Sequence, residues 1–284
     1  LGGGQYFAAK SATELSSALQ KVFTKILEVN ASFTSPSIAS NNFDRTQTFD
    51  SVYYAMFVPN QGPRWMGNMK KFKVTGSGDI VDKKGANAIG SDGNLKSSAC
   101  SFWTPSSVCQ ASSDGGDGND VTIGGVAHML STTSKRTLYG NFASDGGLTA
   151  FSKNNASIYA GGDTQLASYM GVDTSQLESY FTWATGKDVD SDAGGPTTMR
   201  KDVMGDPLHS KPLAINFGSK SSPDLRVLVG TNAGFLHMFK DAGDSVTESW
   251  AFMPYELLPN IRPLRANVPS GVHSVYGLDS SPVA

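Results

Sequence analysis

Charge is scarce in this sequence. Only 17% of its 284 residues are charged, and 23 Lys plus Arg nearly cancel 25 Asp plus Glu, leaving a formal charge of −2. Such a balance gives no electrostatic footing for a phosphate backbone, so nucleic-acid binding is disfavoured. The basic run MKKFKV (69–74) is too short to change this. Its Lys71 and Lys73 alternate with Phe72 and Val74, which predicts a strand with one wet face. Histidine is rarer still: His128, His209, His237 and His273 are scattered, without metal-ligand spacing. No apolar run approaches the ~18–20 residues that cross a bilayer, so the chain reads as not membrane-spanning. It opens at Leu1 with no charged region leading into an apolar one, and reads as the mature or trimmed part of something longer.

Catalytic signatures are missing as well. There is no GxSxG elbow, no GxxxxGK[ST] phosphate loop and no HExxH. Asp206, His209 and Ser210 fall together in GDPLHS, but a triad converges from separate elements, and neighbours in one turn read better as a structural turn. A non-enzymatic chain is expected. Cysteine occurs only as Cys100 and Cys109, around SFWTPSSV. CxxC spacing is absent. The even count and short loop fit a local disulfide, with two buried thiols as the competing reading. A bridge closing so small a loop stabilises by ~2–3 kcal/mol on the entropic account.

What the sequence has in plenty is glycine, 31 residues, and this suits a turn-rich, mainly β chain. The clearest helix is predicted over 11–29. Ser11 and Glu14 form a capping box, and Leu15, Ala18, Leu19, Val22, Phe23, Ile26 and Leu27 make one apolar stripe. From about Asn30 the pattern turns to β. SVYYAMFVP (51–59) and WMGNMKKFKVTG (65–76) read as a hairpin joined through PNQGPRW. Between Gly76 and Asp163 we expect a decorated β region with long loops, ordered because Phe102, Trp103, Leu138 and Tyr139 need burial. A short helix is predicted over 174–186, with Leu177, Tyr180, Phe181 and Ala184 on one side.

The acidic stretch that follows, DVDSDAGG, sets Asp188, Asp190 and Asp192 at alternate positions, like the first three oxygen ligands of a calcium loop. Ala193 at the sharp-turn position and Met199 at the bidentate position depart from that pattern. Calcium bound by these three carboxylates is therefore weighed against a solvated acidic linker. DGGDGND (114–120) is a weaker candidate of the same kind.

From Lys211, KPLAINFG, RVLVG, GFLHMF and TESWAFMP read as four antiparallel strands separated by turn residues, the size of one propeller blade. Phe235, His237 and Phe239 share one face, Leu236 and Met238 the other. Both faces are largely apolar, as in a sheet held between neighbours, and His237 reads as a packed or hydrogen-bonded core residue in preference to a ligand.

These segments carry a resemblance. MGDPLHSKPLAINFG, VLVGTNAGFLHMF, ESWAFMPYELLPNI and VYGLDSSP resemble the approach to the C-terminal propeller of the PilC/PilY family, the tip-associated adhesins and assembly factors of bacterial type IV pili. The turn Arg64-Trp65-x-Gly67-Asn68 resembles one in that family's central segment, and 2–26 resemble the end of a von Willebrand factor A domain. No D-x-S-x-S metal loop accompanies it.

The resemblance implies three parts. Residues 1–29 would close an A-like domain, 30–202 would be a β-rich connector with long loops, and 203–284 the first blade of an incomplete propeller. It also implies export to the cell surface, docking on minor pilins, contact with host or abiotic surfaces, and roles in pilus assembly and twitching. Competing expectations are a fragment of a secreted quinoprotein-like propeller enzyme, or a generic extracellular β adhesion module.

Overall fold

Residues with strand-forming side chains concentrate at 48–58 and 66–74, and there the chain folds into an antiparallel hairpin. The structure, a computed structural model, describes residues 33–40, 48–192, 194–219 and 221–283. The chain divides into two compact units, Leu1–Ala31 and Ser32–Ala284. The helix expected over 11–29, and with it the end of an A-like domain, lies outside the described residues.

In the second unit β1 (Phe33–Ser40), β2 (Thr48–Val58), β3 (Met66–Val74) and β4 (Ile80–Val81) form an antiparallel sheet in chain order. Side chains of β2 alternate between two cores. Tyr53 packs with Met69, Trp103, Val229 and Phe239, whereas Val52, Tyr54 and Met56 pack with Phe72, Leu95 and Val121. A strand covered on both faces needs an unbroken apolar run, which VYYAMF supplies.

The four strands expected near the C-terminus form an antiparallel meander: β7 (Leu213–Asn216), β8 (Leu225–Gly230), β9 (Leu236–Asp241) and β10 (Val246–Phe252). Gly234, at φ 91°, makes the turn between β8 and β9 that a side chain would strain. Two further strands extend the sheet. β5 (Leu138–Gly140) lies parallel to β10, and β6 (Thr149–Ala150) follows it, giving the order β6-β5-β10-β9-β8-β7. Both come from the stretch read as connector. The expected division at 202/203 therefore falls inside one sheet and one unit.

The described residues form a mixed α/β fold with two open sheets, not the mainly β chain that composition suggests. Short helices account for the difference: α1 (Ser106–Ala111), α2 (Gly125–Thr132), α3 (Lys153–Ala160), α4 (Asp163–Met170), α5 (Leu177–Ala184) and α6 (Ile261–Ala266). α3 begins where Ser152 Oγ accepts from Asn155 N at 3.2 Å, and ends at Gly161, φ 87°. A capping box of Asp173 and Gln176 starts the turn that leads into α5, the helix expected over 174–186. Leu166, Met170, Leu177 and Phe181 then bury one side of this helical layer against Phe235, Ala251 and Met253 of the large sheet.

Lys71 departs from the wet face predicted for it. It is buried and pairs with Asp241 at 2.7 Å, while the neighbouring Lys70, also buried, points into the opposite core and pairs with Asp117 at 3.2 Å. Lys73 alone keeps a half-exposed partner, Asp50, at 3.0 Å. Cys100 and Cys109 form a disulfide with Cα atoms 5.9 Å apart.

Candidate functional site

The turn 64–68 is where separated parts of the sequence meet. Trp65 stacks on Phe57 with ring centroids 5.8 Å apart, and its Nε1 donates to Asn60 O at 2.9 Å, which fixes the ring across the mouth of the hairpin. Arg64 is thereby turned toward the segment 183–206. Its Nε meets Asp202 Oδ2 at 3.1 Å and its Nη2 meets Asp192 Oδ2 at 3.4 Å. Arg200 takes the other oxygen of Asp202 at 3.0 Å and lies 3.7 Å above the Trp183 ring. Burial is the chief influence on Arg200 and pulls its guanidinium below the usual range, partly offset by Asp202.

Gly67 faces the backbone of Gly205 and Asp206 so closely that a Cβ there would lie 3.0 Å from Asp206 Cα and closer still to Gly205 O. Any side chain would force the two segments apart. Asn68 is fully buried. Its Nδ2 donates to the carbonyls of Val121, Ile123 and Gly124, and its Oδ1 accepts from Met69 N and Ala127 N, between 2.8 and 3.3 Å. No apolar residue could replace those five bonds.

From Gly205 the contacts run into the blade and its tail. Asp206 Oδ1 accepts from Asn232 Nδ2 at 2.7 Å, Asp206 Oδ2 lies 3.3 Å from His273 Nε2, and Asn232 Oδ1 accepts from Gly277 N at 2.9 Å. The residues of GDPLHS do not converge on one another. Asp206 holds Asn232, His209 reaches Asp279, and Ser210 Oγ accepts from Gly230 N at 3.0 Å.

The three carboxylates expected as calcium ligands take separate partners as well. Asp188 is buried and accepts from Asp192 N at 2.8 Å and Gly195 N at 2.9 Å, closing its own loop. Asp190 makes a two-pronged pair with Arg265 at 2.6 and 2.9 Å, and Asp192 meets Arg64. Among the described residues, one group of three metal-capable side chains comes within 4.8 Å, namely Cys100, Cys109 and Asp117. Its two sulfurs are joined to each other. Asp117 instead accepts from Ser101 N, Ser101 Oγ and Thr104 Oγ1 at 2.7–2.9 Å while it holds Lys70. Burial pulls Lys70 below its usual range, against the pull of Asp117.

Compared with family models, curated proteins and solved structures, the chain finds no significant match. The site therefore has to be understood from its own residues.

Two buried charge clusters anchor it, and sequence reasoning missed both. In the first, Asp241 accepts from Tyr53 Oη at 2.6 Å, Lys71 Nζ at 2.7 Å and Trp103 Nε1 at 3.1 Å, joining β2, β3 and the disulfide loop to the end of β9. Trp103, among the residues expected to need burial, is buried and stacks on Tyr53 at 5.2 Å. Burial first, then the Asp241 carboxylate, pushes the Tyr53 hydroxyl far up from its usual value.

In the second cluster Glu248 takes Arg136 through two bonds of 2.7 and 2.8 Å and His237 Nδ1 at 2.8 Å. Burial raises Glu248, but attraction and hydrogen bonding from Arg136, then from His237, outweigh it and bring the carboxyl down to about 2. Burial lowers His237, with Glu248 opposing. Both directions make the folded state bind fewer protons than the unfolded chain, so stability falls with acid. The His237 share disappears as pH drops below ~6.5. The Glu248 share is present above ~4.3, where the unfolded carboxyl ionises, and is lost toward pH 2. Urea unfolding across a pH series should show about 3 kcal/mol vanishing over that lower window. Glu248→Gln should start less stable at pH 7 and fall less steeply below pH 4. An unchanged slope would remove Glu248 from this role.

Proposed function

We propose that this chain is a non-enzymatic part of a type IV pilus tip protein of the PilC/PilY kind, acting in pilus assembly with minor pilins and in surface adhesion and twitching. One observation carries the reading. The segments that resemble that family in sequence, the 64–68 turn, Gly205–Asp206, the Asn232 turn and the 276–279 tail, pack on one another through Gly67, Asp206 and Asn232. Their likeness thus belongs to one physical junction instead of four unrelated stretches.

In this reading β7–β10 are the first blade of a propeller and the hairpin β2–β3 belongs to the connector that leads into it. The Cys100–Cys109 disulfide suits an oxidising, extracytoplasmic compartment. The charged side chains of the junction hold one another in pairs, which fits a rigid joint that transmits contact better than a centre that turns over substrate.

The test is genetic. Deleting the gene in the bacterium that carries it should abolish surface pili and twitching, and a plasmid copy should restore both. A copy encoding Asp241→Ala, which unfastens the blade, should not restore them. Normal pilus number in the deletion strain would overturn the assignment.

A further inference from the structure

Strand β5 has a neighbour on each side, but one of them stops short. Toward β10, Thr137 O accepts from Ala251 N and Tyr139 O from Met253 N, both at 3.0 Å. Toward β6, Leu138 O accepts from Phe151 N at 2.8 Å, and there that neighbour ends, because Ser152 opens α3. Backbone groups of a strand alternate sides, so Arg136 directs its N–H and C=O the same way as Leu138, past the end of β6. The side chains keep the same alternation. Arg136 lies over the Phe235 ring at 5.3 Å and Leu138 enters the same core, whereas Lys135 and Thr137 are exposed. Residues 135–137 thus prolong β5 as an edge, and the N–H and C=O of Arg136 find no hydrogen-bond partner among the described residues.

A groove of about 470 Å³ runs along this edge. It is lined by the continuous run Ser134 to Tyr139, by Ala150 and Phe151 where β6 stops, and by Thr185, Lys187 and Met199. A continuous lining run of that length follows about 20 Å of extended chain, the shape of a channel for a strand. The charged residues of the lining are all basic: Lys135, Arg136 and Lys187. Buried Glu248 takes up Arg136. Asp188, next in sequence to Lys187, is turned into its own loop, where it accepts from Asp192 N and Gly195 N. Lys187 Nζ meets the neutral carbonyl of Thr197 at 3.4 Å, and neither it nor Lys135 pairs with a carboxylate among the described residues. The charge of these two lysines is therefore left over.

We propose that this groove receives an extended, acidic segment of a partner protein, which adds as a strand along 135–137 where β6 leaves off. The backbone of Arg136 supplies the strand hydrogen bonds, and Lys135 and Lys187 select acidic side chains. Edge-to-edge pairing with a second copy of this chain would bring two such sets of lysines together, which works against it. The inference rests on the edge and its charge, so it stands whether or not the protein belongs to a pilus.

Fluorescence anisotropy of the full chain tests the proposal, with a short labelled peptide that alternates valine and glutamate and a matched peptide carrying lysine in place of glutamate. The acidic peptide should bind about tenfold tighter or more than its basic counterpart. Lys135→Glu combined with Lys187→Glu should erase that preference. Hydrogen exchange in the unmodified protein gives a second readout that needs no variant. With the acidic peptide bound, the amide of Arg136 should exchange about tenfold more slowly or better, because it now donates to the added strand. A peptide held at the surface by charge alone would leave that amide unchanged. Equal binding of the two peptides, or unaltered exchange at Arg136 with the acidic peptide bound, would overturn the proposal.

Discussion

Asp241→Ala should lower the unfolding free energy by about 3–5 kcal/mol, the range seen when one partner of a buried ion pair is removed. For a unit of this size that corresponds to a fall of roughly 10 °C in melting temperature. The size of the effect follows from what the carboxylate holds. Its loss strands Lys71 Nζ without its counter-charge and leaves Tyr53 Oη and Trp103 Nε1 without their acceptor, all within one desolvated layer. The Asp241 side chain is only 2% exposed, so water cannot move in without opening the interface between β3 and β9. Asp241→Leu combined with Lys71→Met should recover much of the loss, because a matched apolar pair avoids the desolvation of both charges. Urea unfolding of the parent, Asp241→Leu, Lys71→Met and the double variant measures the coupling directly. A single Asp241→Ala variant within 1 kcal/mol of the parent would show that the tie contributes little.

The second large effect concerns residues 203–284 expressed alone. They contain β7 to β10 but not β5 and β6, and not Tyr53, Met69, Lys71 or Trp103, which cover one face of the sheet. Leu166, Leu177, Phe181 and Trp183, which pack with Phe235, Ala251 and Met253 farther along that face, would be absent too. Each large apolar side chain left uncovered forfeits about 1.5–3 kcal/mol, and a few of them exceed the whole stability of a typical domain. The fragment should aggregate or remain molten, with retained far-ultraviolet and lost near-ultraviolet dichroism. A single cooperative melt from soluble monomer would contradict the packing described for this sheet.

The parts of this fold that could be read in advance are those specified locally. The hairpin 51–74 and the four strands from Leu213 onward announce themselves by alternation and by turn residues within a few positions. The pairing of Cys100 with Cys109 is equally local. The short helices between 106 and 170 were concealed by a background rich in Gly, Ser, Asn and Asp, which resembles loop. Their signals were nonetheless present, in the Ser152–Asn155 cap and in Gly161 and Gly171 at the helix ends.

Burial of Lys71 was not legible, because a lysine alternating with apolar residues normally marks the wet face of a strand. Its partner stands 170 residues away, and only the tertiary fold brings Asp241 to it. Glu248 was hidden for a related reason. It lies opposite Phe239 on the neighbouring strand, on the face that also carries His237, a cross-strand relation that no spacing within one segment reveals. The partners of the acidic stretch 188–192 were hidden in the same way: Arg64 and Arg265, which meet Asp192 and Asp190, stand far from it in sequence.

The adjacent Lys70 and Lys71 point into opposite cores with side chains 0% and 4% exposed. Amine-reactive labels should therefore pass over this dibasic pair in the native protein, and trypsin should find a cleavage point there only after the hairpin has come away from its neighbours. Cutting after residue 70 or 71 thus reports on opening of the molecule from within, at a place where surface lysines such as Lys84 and Lys96 would give no such information.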